Sequence, residues 1–385
     1  MMASEADGSK GDTGSGTGTS MGAGTSMGAG AGEAEVLIAR EGRMGLITLN
    51  RPRVLNAINL DMVRTIARAL DDWEADAGIE VVVLKGAGEK ALCAGGDVAA
   101  LTRARAEKGN APARAFWQEE YRLNARIARY PKPYLAIMDG IVMGGGIGLS
   151  AHGRYRVVTE TSRLAMPETA IGLVPDVGGT WLLSRAPGLT GQYLALTGQP
   201  LTAADAIHAG LADGFIARDR LGLLLDRLAN GFAGPIEKIL NDLEGDPGPG
   251  ELAGRQAAIG DLFGAGTVEA IAAALAASPL DWAKGMAEGL ERRSPLAMKA
   301  TFAAIRQARG LGSLEEALNM EYRLACRLFD LGEFPEGVRA LLVDKDRKPG
   351  WLYQSLADVS DEAVKGLFLP MLPGEDLGLK APKRG

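Results

Sequence analysis

Residues Lys132–Gly179 read KPYLAIMDGIVMGGGIGLSAHGRYRVVTETSRLAMPETAIGLVPDVGG. Two features of this stretch carry chemistry. The first is the triplet Gly144-Gly145-Gly146, set between an apolar run (Tyr134 to Met138) and a helix-like segment from Ile147 to His152. A strand, a glycine turn and a helix start leave backbone N–H groups without partners. Glycines let a ligand atom reach those groups without meeting a Cβ, and such donors suit a developing oxyanion. A plain tight turn is the alternative reading of three glycines. The second feature is MPETAIGLVPDVGG, which places Glu168 and Asp176 among apolar neighbours punctuated by Pro and Gly. A carboxylate in such company is desolvated, which raises its pKa toward working pH. Two surface-loop acids are the alternative, since Asp and Glu are mostly exposed.

Other glycine-loop and nucleophile motifs fail on spacing. A phosphate-binding loop needs Lys-Ser/Thr after its last glycine, and none follows Gly146. The dinucleotide fingerprint needs G-x-G-x-x-G, which Gly144 to Gly148 does not supply. Gly148-Leu149-Ser150-Ala151-His152 approaches a nucleophile elbow but ends in His, and it places Ser150 inside a helix rather than on a strained turn.

Outward from the centre, the pattern alternates strand and helix. Glu35 to Pro52 reads as two strands about a Glu41-Gly42 turn. Leu60 to Trp73 has apolar positions at helical spacing, and Val81 to Leu84 is a β-branched buried strand. Gly95-Gly96-Asp97 follows, a turn in which Asp97 suits a helix cap. Ala111 to Ala128 is helical and holds Glu119-Glu120-Tyr121; adjacent helical residues diverge, so one of the two acids faces any pocket. The C-terminal third is helical over Thr267–Ala277, Trp282–Arg292, Pro295–Arg309 and Leu314–Leu331, with Ser294 and Ser313 at helix starts. Asp242 to Gly254, rich in Gly, Pro and acids, reads as a linker or surface loop.

The stretches NRPRVLNAINLDM (Asn50 to Met62), VVVLKGAGEKALCAGGDV (Val81 to Val98), the central segment and EGVRALLVDKDRKPGW (Glu336 to Trp351) occur in one order over most of residues 35–355. Together they resemble the crotonase (enoyl-CoA hydratase/isomerase) superfamily, and within it the 3-hydroxyisobutyryl-CoA hydrolase branch. The resemblance implies an α/β fold, a crotonase-like spiral of ββα units with a helical C-terminal region. It implies an acyl-CoA substrate and an oxyanion hole from the N–H groups of Gly96 and Gly145. It assigns Glu168 and Asp176 to catalysis and Glu120, Gly145, Glu168 and Asp176 to substrate binding. A hydratase of this superfamily uses a second glutamate two residues after the triplet; that position here is Gly148, which has no acid. The resemblance therefore favours thioester hydrolysis, as in valine breakdown, with an enoyl-CoA hydratase or isomerase as the alternative. It requires no cofactor or metal, and it suggests a homo-oligomer, a trimer or hexamer. Arg53 is a further candidate, as a phosphate contact.

Composition bounds the remaining classes. A length of 385 residues allows a large core. A net charge of −6 argues against nucleic-acid or anionic-membrane partners. Two cysteines, Cys93 and Cys326, give no disulfide framework and fit a reducing compartment, and two histidines give no zinc-ligand spacing. No spanning apolar run or secretory signal is visible, so a cytoplasmic or mitochondrial-matrix location is expected. The expected organisation is a disordered Gly/Ser/Thr-rich tail over 1–33, an acyl-CoA-binding core over 34–235, a helical region over 236–360 and a loosely held tail over 361–385.

Overall fold

A computed structural model describes residues 34–231 and 234–382; the tail expected over 1–33 lies outside the described residues. Val36–Glu41 (β1) and Met44–Leu49 (β2) pair antiparallel about Gly42, which sits at φ 57°. The left-handed backbone there is the conformation glycine adopts without strain. All later pairings between strands are parallel.

The strands form a spiral. After β2 the chain makes Val81–Gly86 (β3), Ala91–Cys93 (β4), Tyr134–Met138 (β5), Ile141–Met143 (β6), Tyr155–Val158 (β7), Arg163–Ala165 (β8) and Gly214–Phe215 (β9). One sheet has the order β1-β2-β3-β5-β7-β9 and a smaller one has β4-β6-β8. Each turn of the spiral thus gives one strand to each sheet. Side chains alternate across the large sheet. Ile47, Leu49, Val82, Leu84, Ala136 and Met138 join the main core, while Met44, Leu46, Val81, Val83, Leu135 and Ile137 face a second cluster with Leu224, Leu228 and Ile239. That period of two is what a strand buried on both faces requires.

Helices Leu60–Ala75 (α1), Val98–Lys108 (α2), Ala111–Ala128 (α3) and Gly145–Ser150 (α4) connect the strands. Asn59 caps α1 by accepting from the Met62 N–H, and Asp97 caps α2 by accepting from the Ala100 N–H. The expected C-terminal helices are present, and Ser294 and Ser313 cap two of them. Among the described residues no helix is long and apolar enough to cross a membrane.

The structure departs from the sequence reading in three places. The strand entering the glycine triplet is β6, three residues long, and not the Tyr134–Met138 run, which belongs to the large sheet. Within the expected linker, a helix begins at Leu252 and runs to Phe263, burying Leu252, Ile259 and Phe263. From Glu35 onward the core and the helical C-terminal region form one compact unit. Among the described residues, 361–377 is anchored rather than loosely held. Asp361–Phe368 is a helix that buries Val364 and Leu367, Leu377 is buried, and Arg323 binds Asp376 at 2.6 Å.

Candidate active site

The small parallel sheet builds the site. Its three strands lie side by side in the order β4-β6-β8, and each runs into a pocket segment at its C-terminal end: Ala94-Gly95-Gly96 after β4, Gly144-Gly145 after β6, Pro167-Glu168 after β8. The carboxyl ends of parallel strands are where open α/β sheets place ligands. A cavity of about 320 Å³ lies there, and α3 contributes Phe116, Trp117 and Glu120 to its wall. Leu341 and Leu342, partly exposed, line it from the C-terminal region.

Gly96 and Gly145 both line this cavity, and neither N–H finds an acceptor among the described residues. Their loops touch: a Cβ on Gly95 would lie 3.9 Å from the Gly145 nitrogen. Gly144, at φ 48° and ψ −119°, makes the turn between β6 and α4 in a conformation that side chains rarely adopt.

Three carboxylates share the cavity. Glu168 is 4% exposed, and its Oε2 has no hydrogen-bond partner. Glu120 is 2% exposed, and its Oε1 is likewise unpaired. Asp176 is 5% exposed, and its Oδ2 accepts the Tyr121 hydroxyl at 2.6 Å. Glu119, the neighbour of Glu120, instead points outward to a surface pair with Arg64. Burial drives the pKa of Glu168 and of Glu120 well above the usual carboxylate range, and repulsion from Asp176 adds to both. Burial also lifts Asp176, to about 6, against the lowering effect of the Tyr121 hydrogen bond. Three acids in one dry space do not all ionise. The Tyr121 hydroxyl favours the charged form of Asp176. Arg293, itself pushed down to about 10 by burial, bonds Thr169 Oγ1 at 2.7 Å and draws Glu168 back toward ionisation.

The position after the triplet is closed. A Cβ on Gly148 would meet Val177 Cβ at 2.7 Å and Asn124 Nδ2 at 2.8 Å. A glutamate there has no room while Val177 and Asn124 keep their places. Ser150 is fully buried, and its Oγ donates to the Gly146 carbonyl at 2.6 Å, so it presents no nucleophile. Arg53 is exposed on the Pro52–Val54 turn, outside this cavity. Sequence reasoning missed Tyr121 as the Asp176 donor, Asn124 as the group filling the space beside Gly148, and the leucine lip. Tyr121 and Asn124 lie one and four residues from Glu120, a spacing that places Asn124 on the same helix face.

A family model described as enoyl-CoA hydratase/isomerase matches residues 44–368. The chain is 42% identical over 343 residues to a Danio rerio protein named 3-hydroxyisobutyryl-CoA hydrolase, mitochondrial, covering 87% of this chain and 89% of that one. It is 40% identical over 343 residues to the Homo sapiens protein of the same name, covering 87% and 88%. Among solved structures it resembles a carnitinyl-CoA dehydratase from Mycobacterium thermoresistibile, with TM-score 0.84, 44% identity and coverage of 90% and 99%. An enoyl-CoA hydratase from Rhodobacter sphaeroides 2.4.1 matches with TM-score 0.84, 42% identity and coverage of 90% and 100%. The spiral, the sheet-end pocket and these likenesses agree, and the chain belongs to the enoyl-CoA hydratase/isomerase (crotonase) family.

Proposed function

We infer that this chain hydrolyses the thioester of 3-hydroxyisobutyryl-CoA to 3-hydroxyisobutyrate and CoA. The relatives named for that hydrolase match along nearly their whole length. One observation carries the choice of hydrolysis over hydration. Glu168 and Asp176 share a pocket with two unpaired N–H groups, while position 148, where a second hydratase glutamate would stand, is sterically closed.

In this reading the thioester oxygen sits between the Gly96 and Gly145 N–H groups, which stabilise the charge it gains. Glu168 either removes a proton from water as it attacks, or attacks the carbonyl itself to give a mixed anhydride that water then opens. In both routes attack on the carbonyl forms the new C–O bond and a tetrahedral oxyanion, whose collapse breaks the C–S bond and releases CoA as a thiolate that takes a proton. Glu120 and Asp176 bind the acyl group, with Asp176 oriented by Tyr121 toward the 3-hydroxyl or the attacking water. The scheme uses no cofactor. The homo-oligomer and the cytoplasmic or matrix location stand as proposals beside it; buried, unpaired Cys93 and Cys326 suit a reducing compartment.

The test is thiol release from 3-hydroxyisobutyryl-CoA, run beside 3-hydroxypropionyl-CoA and crotonyl-CoA. Thiol from the two hydroxyacyl substrates, without loss of enoyl absorbance from the third, is the expected result; enoyl loss without thiol would overturn the reading. Asp176→Asn is expected to lower turnover by about 10-fold or more. A loss confined to substrates carrying a 3-hydroxyl assigns Asp176 to recognition, and undiminished turnover removes it from the site.

The acid limb of kcat/KM follows from the same groups. The ionised carboxylates do the work, so activity is lost as pH falls through their raised pKa values. Asp176 titrates near 6 and Glu168 well above the ordinary carboxylate value. The limb is expected at about pH 6 or higher, falling up to tenfold per unit below it. A limb centred near 4.5 in a pH–rate profile would contradict the buried-acid assignment.

A further inference from the structure

Glu321 is a fully buried carboxylate that the scheme above does not use. It projects from the Leu314–Asp330 helix of the C-terminal region onto the turn that directly follows Asp176. Its Oε2 accepts the Gly178 N–H at 2.6 Å. Its Oε1 accepts both the Thr180 N–H, at 2.8 Å, and the Thr180 hydroxyl, at 2.5 Å. One side chain thereby satisfies three donors within four residues of Asp176.

The turn needs such a hold. Val177 sits at φ 52°, a left-handed conformation that is a genuine outlier for a β-branched residue, and Gly178 follows at φ 80°. Strain of this kind persists only where the surroundings over-determine it, and it gathers at functional sites. The rest of the hold is also visible. His152 donates from Nε2 to the Val177 carbonyl at 2.7 Å, and the Gly179 N–H donates to the Asp176 carbonyl at 2.6 Å. A Cβ on Gly178 would come within 2.5 Å of the His152 ring, so the turn has no slack on that side. Among the described residues the Asp176 side chain accepts one side-chain hydrogen bond, from Tyr121, so its backbone sets where the carboxylate points.

We propose that Glu321 is a positioning residue: it clamps the Val177–Thr180 turn and so holds the Asp176 carboxylate against Tyr121 at the reacting group. It does not touch substrate. The proposal rests on the placement of Asp176 in the reaction and adds that the C-terminal helices complete the catalytic geometry. A glutamine keeps the size of the side chain but offers one oxygen where the turn presents donors to two, so it loosens one end of the clamp.

The experiment is a double-mutant cycle of Glu321→Gln and Asp176→Asn, read as kcat and KM on 3-hydroxyisobutyryl-CoA, with a crystal structure of Glu321→Gln beside it. Glu321→Gln is expected to lower kcat by about 10–10²-fold with KM within about threefold, the scale of a misplacement near 1 Å. In the Asp176→Asn background the same change is expected to cost less than about twofold, since the two act as one unit. In the crystal structure Val177 is expected to leave the left-handed region and the Tyr121–Asp176 bond to lengthen. Equal losses in both backgrounds, an unchanged kcat, or a reduced kcat with wild-type geometry would each overturn the proposal. Thr180→Val removes one donor with little change of shape and carries the same cycle if Glu321→Gln does not fold. Absence of wild-type thiol release would defeat the substrate assignment alone, because the crystallographic comparison reads the clamp without any substrate.

Discussion

Glu168→Gln is expected to remove activity by at least about 10²-fold while leaving the protein folded. The carboxylate lines the cavity with a free Oε2, and its removal opens no void, because the amide has the same shape. Stability is expected to move the opposite way. Burial raises the folded-state pKa of Glu168 above its unfolded value. The native state therefore binds more protons than the unfolded chain between those two values, and stability falls as pH rises through that window. A neutral glutamine escapes that loss. The melting temperature of the variant is thus expected to match wild type near pH 4, below the unfolded pKa, and to exceed it at pH 8 by about 2 °C or more. Calorimetry at the two pH values, beside the thiol assay, checks both halves. Wild-type-like turnover would remove Glu168 from the chemistry, and a variant less stable at pH 8 would contradict the net burial penalty on its charge.

Gly145→Ala is expected to lower kcat by about 10²–10³-fold, the scale of losing one oxyanion donor. The added Cβ would lie 2.6 Å from Glu120 Oε1 and 2.9 Å from Ile58 Cδ1. Relief comes from displacing the Glu120 carboxylate and the Ile58 tip or from shifting the start of α4, and each disturbs the site around the unpaired Gly145 N–H. Gly254, in the Leu252–Phe263 helix, is the control, since a Cβ there meets nothing within 4 Å. Gly254→Ala is expected to leave turnover unchanged and to stabilise the helix by up to about 1 kcal/mol. Turnover of Gly145→Ala within threefold of wild type would argue that the thioester oxygen binds elsewhere.

The parts of the site readable from sequence are those carried on short contiguous motifs. Gly96, Gly145 and Glu168 each stand a few residues beyond a strand end, and the parallel sheet brings those ends together. Helix geometry says that only one of Glu119 and Glu120 faces a pocket, and the choice of Glu120 comes from the family resemblance. Groups that reach the site by tertiary packing were not readable. Glu321 comes from one face of a helix far along the chain, with nothing local to mark it. β6 escaped because three residues show no period. The segment from 361 looked loose because its anchors, Val364, Leu367 and Leu377, are sparse, and its binding to Arg323 is a contact at long sequence range.

The hold of Glu321 on the Asp176 turn has a consequence for synthesis. The two residues are 145 positions apart (321 − 176), so a ribosome adding about 5–20 residues per second leaves the turn without its clamp for roughly 7–30 s. The spiral can collapse in that interval with the His152 and Gly179 hydrogen bonds in place, but the strained Val177 turn lacks its three Glu321 hydrogen bonds until the late helix docks. The nascent chain therefore carries its acids long before it carries an enzyme, and catalytic competence arrives with one of the last helices to leave the exit tunnel.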